Sequence, residues 1–538
     1  MKRIILACAA LFAAAHNCRS ADLYRVAGVV IDSESGSPLA RARVILLRSG
    51  TTITVATQVV GTDGRFSFEV PQGKFSLLAG TRDLQQTFGA RTPDSRVGTS
   101  IVTGPDQNTS NLIFRWFLPG AISGRVADEN REPVEGALVQ LLASTVTAGR
   151  RWIATAGWVR TDDRGEYRFG PLRGGSYYVA VTGTPWYARH GVNLLSVPAI
   201  ASLLQNSDPP LAYAADYYPG TPDIAGAAPM ILRPGQEARA DFSLSVVRGA
   251  TVTVQHDGPP ELKGLIGLLT EGIGGKDGFQ RQENLTGSQP FTFSAVPPGR
   301  YVVRIAGSKG TSDYSGRRTI DVNGSDVTVE LKVRAAPAVS GTVAWKNGKA
   351  KPPGLLASLI REDTGATIST TVRADGSFVF PSVTVARWRP AIRSADGQFA
   401  TDVHVEGAEF DKGVIDLQDG DVVTVRMTAS DEVGRLRGFV MRGDAAVEGV
   451  MVVLALAAGP GEQVTYRGFQ TDSDGSFDFE NVLARDYLLF AVEDTQFEYA
   501  NPAVAGRYLA KAKRVHVEAH KALSEKIGLS DLVEDAKP

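Results

Sequence analysis

Short runs of alternating apolar and polar residues recur along the whole chain. Examples are VAGVVID from Val26, PLARARVILL from Pro38 and KFSLLAG from Lys74. Glycine or proline interrupts such runs at intervals of about eight to twelve residues, which is the spacing of strands in a β-sandwich. Residues two apart on a strand point to the same face, so each run predicts a short strand with one buried side. The pattern therefore predicts an all-β fold.

One longer stretch recurs within this pattern. It reads TDGRFSF at residues 62–68, TDDRGEYRF at 161–169, RADGSFVF at 373–380 and TDSDGSFDF at 471–479, and a weaker copy, GSQPFTF, ends at Phe293. Neighbouring copies lie about 90 to 125 residues apart, the size of a small domain. The aromatic-x-aromatic pair and a nearby glycine persist in the copies, whereas the acidic residues vary. The repeat therefore predicts about five small domains.

The copy at residues 471–479 has two possible interpretations. Its aspartates around Gly475 resemble the oxygen ligands of a calcium loop, but Leu483 stands twelfth from Asp472, where such a loop needs glutamate. Glycine allows the positive φ of a tight bend, and aspartate bonds its own backbone in turns. We therefore interpret the stretch as a turn that leads into a strand, and predict no metal site. The rings that follow each turn are predicted to lie in the domain cores: Phe66, Phe68, Tyr167, Phe169, Phe291, Phe293, Phe378, Phe380, Phe477 and Phe479.

Each turn lies inside a longer unit with further shared motifs. In the second unit these are ISGRVAD from Ile122, PVEGALVQLL from Pro133 and PLRGGSYYVAV from Pro171. This order of motifs resembles the carboxypeptidase regulatory-like domain, a transthyretin-like β-sandwich. The resemblance implies a tandem array of about five Ig/transthyretin-like β-sandwich domains. Their predicted bounds are residues 21–118, 119–247, 248–336 (a divergent copy), 337–430 and 431–538.

The N-terminus has the pattern of an export signal. Two basic residues precede an apolar stretch, residues 4–15, which is too short to span a membrane. Residues 1–20 are therefore predicted to be a signal peptide, with cleavage after Ala15 or after Ser20. No later stretch is long and apolar enough for a transmembrane span in the mature chain. The predicted location is exported: periplasmic, associated with the outer membrane, or extracellular.

Composition narrows the possible partners. The chain of 538 residues carries 57 basic and 58 acidic residues, a net charge of −1, and shows no basic stripe. Nucleic acid is therefore not a predicted partner. Cys8 and Cys18, the only cysteines, both lie near the N-terminus, so no internal disulfide is expected. Asn17 directly precedes Cys18 and argues against a lipid anchor there.

Catalytic motifs are missing from the sequence. There are six histidines, and none stands in a zinc-protease pattern. The cluster HVEAH is predicted to lie on a strand that carries His516, Glu518 and His520 on one exposed face. There is no nucleophile elbow and no phosphate-binding loop. We therefore predict no catalytic residue, no cofactor and no enzyme activity.

The second unit carries extra material at about residues 184–229. Trp186, Tyr187, Tyr217 and Tyr218 are concentrated there. Aromatic side chains in exposed loops can stack on sugars or on partner chains, so these four residues are predicted ligand-binding residues. The alternative is that the insertion folds over the sandwich edge and buries them.

The function predicted from the sequence is that of a secreted, non-enzymatic binding or adhesion module. Its partner would be a glycan or a protein of the cell envelope, so carbohydrate binding is one expectation. Two alternatives stay open, because the fold does not fix the function. The chain could be a purely structural spacer, or an accessory subunit of a separate metallocarboxypeptidase or outer-membrane receptor.

Overall fold

The computed structural model describes most of the chain in eleven segments. These are residues 22–81, 84–185, 211–273, 277–346, 354–362, 365–394, 397–398, 400–411, 413–430, 432–457 and 464–530. The chain divides into two compact units. The first comprises Met1–Gly89, Gly98–Trp116 and Asp472–Asp474, and the second comprises Ala90–Val97, Phe117–Thr471 and Gly475–Pro538. The predicted signal peptide, residues 1–20, lies outside the described residues.

The described residues form five β-sandwiches in chain order, which confirms the predicted fold class. Each sandwich has two main sheets and its own hydrophobic core. The bounds of the five domains along the sequence stay predictions.

The first sandwich shows how alternation produces its core. In β4, Phe66, Phe68 and Val70 are buried, while the residues between them are exposed. One sheet has the order β4-β1-β8, and the other has the order β3-β2-β5-β6 with β7 also paired to β5. The strands are β1 (Leu23–Asp32), β2 (Arg43–Arg48), β3 (Thr54–Val59), β4 (Arg65–Pro71), β5 (Gly73–Gly80), β6 (Gln85–Thr87), β7 (Ile101–Thr103) and β8 (Leu112–Trp116).

The second sandwich includes the described part of the insertion. Its sheets are β11-β10-β13-β15, with β16 paired to β13, and β12-β9-β17, with β18 paired to β9; β14 and β19 form a separate pair. The strands are β9 (Gly120–Ala127), β10 (Leu138–Thr147), β11 (Arg150–Arg160), β12 (Glu166–Leu172), β13 (Gly175–Thr182), β14 (Leu211–Tyr213), β15 (Asp216–Tyr217), β16 (Met230–Leu232), β17 (Glu237–Arg239), β18 (Phe242–Ser243) and β19 (Val246–Arg248), and a single 3-10 turn covers Ile224–Gly226.

The third sandwich has a long-stranded sheet of order β22-β21-β24-β25-β27 and a short one of order β23-β20-β26. The strands are β20 (Ala250–His256), β21 (Lys263–Glu271), β22 (Asp277–Thr286), β23 (Phe291–Val296), β24 (Gly299–Lys309), β25 (Ser312–Val322), β26 (Val327–Leu331) and β27 (Arg334–Ala335). On β24, Tyr301, Val303 and Ile305 point into the core, so Arg304 faces outward.

The fourth sandwich pairs the sheet β31-β28-β37-β34 with the sheet β30-β29-β32-β36-β35, and β33 also pairs with β32. The strands are β28 (Ala338–Trp345), β29 (Leu356–Arg361), β30 (Thr367–Thr371), β31 (Ser377–Phe380), β32 (Ala386–Ser394), β33 (Gly397–Gln398), β34 (Ala400–Glu406), β35 (Glu409–Asp411), β36 (Val414–Leu417) and β37 (Val422–Ser430).

The fifth sandwich contains the one α-helix of eight residues found in the described chain. Its sheets are β39-β38-β42, with β45 paired to β38, and β41-β40-β43-β44. All six residues of β40 are buried, because both faces of this strand are covered. The elements are β38 (Val433–Arg442), β39 (Ala445–Ala446), β40 (Met451–Leu456), β41 (Tyr466–Gln470), β42 (Ser476–Leu483), β43 (Asp486–Val492), α1 (Pro502–Leu509), β44 (Lys513–His516) and β45 (Ala522–Gly528).

A glycine opposite an aromatic ring is shared by four of the sandwiches. The glycine lies on the first strand, and its antiparallel partner is the first ring of the aromatic pair. A Cβ on Gly438, for example, would lie 1.8 Å from the carbonyl oxygen of Glu525 and 2.9 Å from the ring of Phe477. Only glycine leaves room for this close approach. The four pairs are Gly28 with Phe66, Gly124 with Tyr167, Gly341 with Phe378, and Gly438 with Phe477.

The third sandwich departs from this arrangement. Val254 stands opposite Phe291, where the other sandwiches have glycine. Phe291 is half-buried against the core, whereas Phe293 is buried. The valine side chain occupies the space that the glycine leaves open elsewhere, which accounts for the partial burial. The other nine predicted core rings are all buried.

Within the second unit, the tip of the β10–β11 hairpin packs against a loop that follows β43. The ring of Tyr499 lies between two glycines: a Cβ on Gly149 would come within 2.3 Å of the ring, and one on Gly468 within 2.6 Å. The amide of Ala500 donates to the carbonyl of Gly149 at 2.9 Å. The guanidinium of Arg151 lies 2.7 Å from the carboxylate of Glu498. Sandwiches distant in sequence are therefore joined by close packing.

Candidate functional site

Of the four aromatic residues predicted to bind a ligand, the structure describes two, Tyr217 and Tyr218. Trp186 and Tyr187 lie outside the described residues. Tyr217 is 6% exposed and packs with Leu142 of β10, and burial raises the pKa of its phenol to about 12. This ring has no open face for a ligand. Tyr218 is half-buried against the core of the second sandwich, and its role in binding stays a prediction.

The stretch at residues 471–479 forms a turn that enters β42. Its acidic part, Asp472–Asp474, is grouped with the first unit. The carboxylate of Asp472 is buried and lies 2.5 Å from the ammonium group of Lys74. The hydroxyl of Ser473 accepts from the amide of Val102 at 3.0 Å. These contacts give Asp472 a structural role that needs no cation.

The histidine cluster differs from its prediction. Strand β44 ends at His516, and His520 has a φ of 57°, so the cluster is not one continuous strand face. Val517 between them is buried. The Nδ1 atom of His516 lies 2.7 Å from a carboxylate oxygen of Asp486, and Glu518 pairs with Lys521. In the described residues, no group of three His, Cys, Asp or Glu side chains is placed to hold a metal ion.

A groove of about 700 Å³ lies between the third and fourth sandwiches, and we call it the Arg304 groove. Its floor is the outer face of β21, β24 and β25. Its opposite wall is the segment 382–385, together with Arg361 at the end of β29. A volume of this size falls within the range of about 300–1,000 Å³ that small-ligand sites occupy.

Cross-strand register places two arginines side by side on the floor of the groove. Arg304 of β24 pairs directly with Arg317 of β25, and both side chains are exposed. Next to them Ala306 stands opposite Leu265 of β21, which is 40% exposed. Lys263 lies further along the same face. The floor therefore combines a small apolar patch with closely spaced positive charges.

Hydrogen bonds hold the two walls of the groove together. The amide of Gly420 donates to the carbonyl of Ala335, in β27, at 2.8 Å. The hydroxyl of Ser315 also donates to the carboxylate of Asp419. A groove whose walls are tied in this way is largely formed before a ligand arrives, so little ordering would oppose binding.

The Arg304 groove is not evident from the sequence. Alternation along RYVVRIAG could have marked Arg304 as an outward residue, because its neighbours on either side are apolar. Its pairing with Arg317 depends on the register of β24 and β25. The position of segment 382–385 depends on how two sandwiches pack. A local sequence pattern predicts neither this packing nor the strand register.

The fold defines a protein of several β-sandwiches in one chain. Residues 121–194, within the second sandwich and its insertion, match the family description of the carboxypeptidase regulatory-like domain. The resemblance to this domain that the sequence indicated is thereby confirmed for that segment. Among curated proteins no similar sequence is found.

Several solved structures of bacterial proteins are similar to this chain at low identity. The Bacillus anthracis TIE protein is 11% identical, with 76% of each chain covered and a TM-score of 0.18. Two B repeat units of the collagen binding protein of Staphylococcus aureus are 12% identical and cover 76% of this chain and 100% of theirs, with a TM-score of 0.13. The minor pilin of Streptococcus agalactiae is 13% identical and covers 38% of this chain and 99% of its own, with a TM-score of 0.17. Scores this low carry no argument about function.

No helix in the described segments has the length and apolar character that crossing a membrane requires.

Proposed function

We propose that this chain is an exported, non-enzymatic binding protein whose ligand is held in the Arg304 groove. The single observation that carries the proposal is the groove itself, a cavity of about 700 Å³ with tied walls and an exposed floor of polar and small side chains. The charged N-terminal pattern of the sequence supports export. The side chains that dominate the floor bind rather than react, because a guanidinium stays protonated and cannot serve as a base.

The alternative function, a structural spacer, requires fewer contacts between sandwiches than the structure has. A spacer works through length, so its domains need contact only their neighbours along the chain. In the second unit, however, the hairpin tip at Gly149 packs on Tyr499, and Arg151 pairs with Glu498, 347 residues away. A spacer does not need such contacts, so within the second unit they favour the binding proposal over the spacer.

A groove-filling variant tests the proposed function. Ala306→Trp places a large ring on the floor of the groove, and Thr292→Trp places the same ring on an exposed position of the other sheet of the third sandwich. The mature chain and both variants would be screened on a glycan and peptide array, and hits would be measured by calorimetry. We expect Ala306→Trp to abolish binding and Thr292→Trp to retain it. If no ligand binds the unmodified chain, or both variants bind equally, the groove is not the site.

A further inference from the structure

Resting on that proposed function, we infer that the Arg304 groove binds an anionic polysaccharide, one whose sugar rings carry carboxylate groups. The chemistry of the floor leads to this ligand class in three steps: its charges are unneutralised, they are closely spaced, and they border an apolar patch.

The first step is the charge balance of the groove. Its lining contains Lys263, Arg304, Arg317 and Arg361 against two carboxylates, Asp313 and Asp419. Asp419 already accepts a hydrogen bond from Ser315. Within the described part of the chain, the side chains of Lys263, Arg304 and Arg317 have no ion pair. On the floor strands alone, Lys263, Arg304 and Arg317 stand against one carboxylate, that of Asp313, which leaves an excess of two positive charges.

Some exposed arginines on other sheets do have an acidic partner. The guanidinium of Arg426 lies 2.7 Å from the carboxylate of Glu406 on the adjacent strand. Arg435 pairs with Asp478, and Arg442 with Glu493. An acidic neighbour thus balances these three arginines. Arg304 and Arg317 have no such ion pair among the described residues, and Asp313 is the one carboxylate that β21, β24 and β25 contribute to the described lining.

The second step is the spacing of Arg304 and Arg317. They stand directly opposite each other on paired strands, and like charges in that position destabilise a sheet. An anion held between them would remove the repulsion. Guanidinium groups bind carboxylates through two parallel hydrogen bonds, which fixes orientation as well as charge. The pair is therefore arranged for a carboxylate rather than for a neutral hydroxyl group.

The third step separates a glycan from an acidic peptide. Beside the arginines, Leu265 and Ala306 form a shallow apolar patch. A uronic acid ring presents an apolar C–H face and a carboxylate at its edge, and both have a counterpart here. An extended peptide would instead add to a free strand edge, but at the groove Tyr314 and Ser315 of β25 are already paired with β27. The floor thus favours a sugar ring.

The experiment uses the full mature chain and three soluble probes. Oligogalacturonate carries one carboxylate on each ring, its fully methyl-esterified form keeps the rings but not the charge, and poly-L-glutamate carries the charge on a peptide. We expect oligogalacturonate to bind best and its affinity to fall as salt is raised, because exposed charges are screened. The affinity for the methyl ester is expected to be lower by about tenfold or more, since hydrogen bonds to charged groups are stronger than neutral ones.

Matched variants locate the charge that matters. Arg304→Gln and Arg317→Gln should each weaken oligogalacturonate binding about tenfold. Arg300→Gln on β24 and Arg318→Gln on β25 lose the same charge at residues that do not line the groove, and should change the affinity by less than about twofold. Circular dichroism and melting temperatures show that each variant is folded. If the groove variants and their controls weaken binding equally, the attraction is a general charge effect and the inference is wrong.

The outcomes also distinguish this inference from the proposed function. Equal binding of the methyl ester, blocked by Ala306→Trp, would overturn the anionic class while the groove remains the binding site. Tighter binding of poly-L-glutamate than of oligogalacturonate would identify an acidic peptide ligand and overturn the glycan. If no array ligand and none of the three probes binds, both proposals are wrong.

Discussion

At the scale of single residues, the paired rings carry much of each core. Phe479 is 2% exposed and packs on Phe477 and Phe469, with ring centroids 6.0 and 5.9 Å away. Truncation of such a ring typically costs about 3–5 kcal/mol. We expect Phe479→Ala to lower the local free energy of unfolding of the fifth sandwich by that amount. Hydrogen exchange of β40 amides in the full chain measures it.

The control for this variant lies on the neighbouring strand. Phe439 of β38 is 38% exposed, so Phe439→Ala removes the same ring with less loss of buried surface. Its effect should stay below about 1 kcal/mol. Equal protection of β40 in the wild type and in Phe479→Ala would show that the ring does not support this core.

A second residue-level prediction separates backbone conformation from close approach. Gly64 and Gly36 have nearly the same φ, 67° and 70°. A Cβ on Gly64 would lie 2.6 Å from the carbonyl oxygen of Val30, whereas one on Gly36 meets nothing within 4 Å. Gly36→Ala should therefore cost only the strain of a left-handed alanine, about 1–2 kcal/mol, and Gly64→Ala should cost more.

The amide of Val30 reports the difference directly. It donates to the carbonyl of Gly64 at 2.9 Å, so its hydrogen exchange should accelerate in Gly64→Ala much more than in Gly36→Ala. Similar acceleration in both variants would mean that positive φ alone explains the glycine at this turn.

Residue spacing in the sequence was enough to anticipate most ring positions, because alternation alone decides which face of a strand is inward. It was not enough for Phe291, whose burial depends on Val254 across the sheet. Tyr217 illustrates the same limit: its neighbour Leu142 comes from β10, about 75 residues earlier, and a local pattern contains no such contact.

At the scale of elements, the hairpin tips offer a matched comparison. Gly149 ends the β10–β11 hairpin with its Cα against Tyr499, and Gly310 ends the β24–β25 hairpin in open space; both have positive φ. We expect Gly149→Ala to push the tip away from the loop around Tyr499, because the added carbon would lie 2.3 Å from the ring. Gly310→Ala should leave that loop unchanged.

The amide of Ala500 is the readout, since it donates to the carbonyl of Gly149. Its hydrogen exchange should rise in Gly149→Ala, and protease should cleave residues 497–501 faster than in the wild type or in Gly310→Ala. Unchanged exchange and cleavage in all three proteins would show that the tip and the loop do not depend on each other.

Some elements were predictable and others were not, for identifiable reasons. Strand β40 was predictable, because the apolar run VMVVLAL from Val450 has the length and composition of a buried strand. For HVEAH, the predicted exposure of His516, Glu518 and His520 was right, but the predicted strand ends at His516, since the chain then turns to reach β45. Helix α1 went unpredicted although Asn501 caps it and Pro502 begins it, because eight residues give too little periodicity to stand out.

At the scale of the whole molecule, buried tyrosines set the response to alkali. Burial raises the pKa values of Tyr177, Tyr217, Tyr487 and Tyr499 from 10.0 to about 12. The folded protein therefore keeps these protons at a pH where the unfolded chain has released them. Their contribution to stability is complete below pH 10 and is lost as pH rises towards 12, by about 1.4 kcal/mol per pH unit for each tyrosine.

We expect unfolding by alkali to begin between these values. Tyrosinate absorbance should then appear in a step that coincides with loss of the β-sheet circular dichroism signal. A smooth titration of all 14 tyrosines near pH 10, with the sheet signal intact, would contradict the burial of these four phenols.

The packing of the hairpin tip on the loop around Tyr499 also has a consequence for synthesis. The ion pair beside it joins residues 347 positions apart, so the first partner leaves the ribosome long before the second exists. At about 5–20 residues per second, that interval is roughly 20–70 s. Throughout it, the tip at Gly149 has no ring to cover it. A nascent chain is therefore open to cleavage at a place that the finished protein hides.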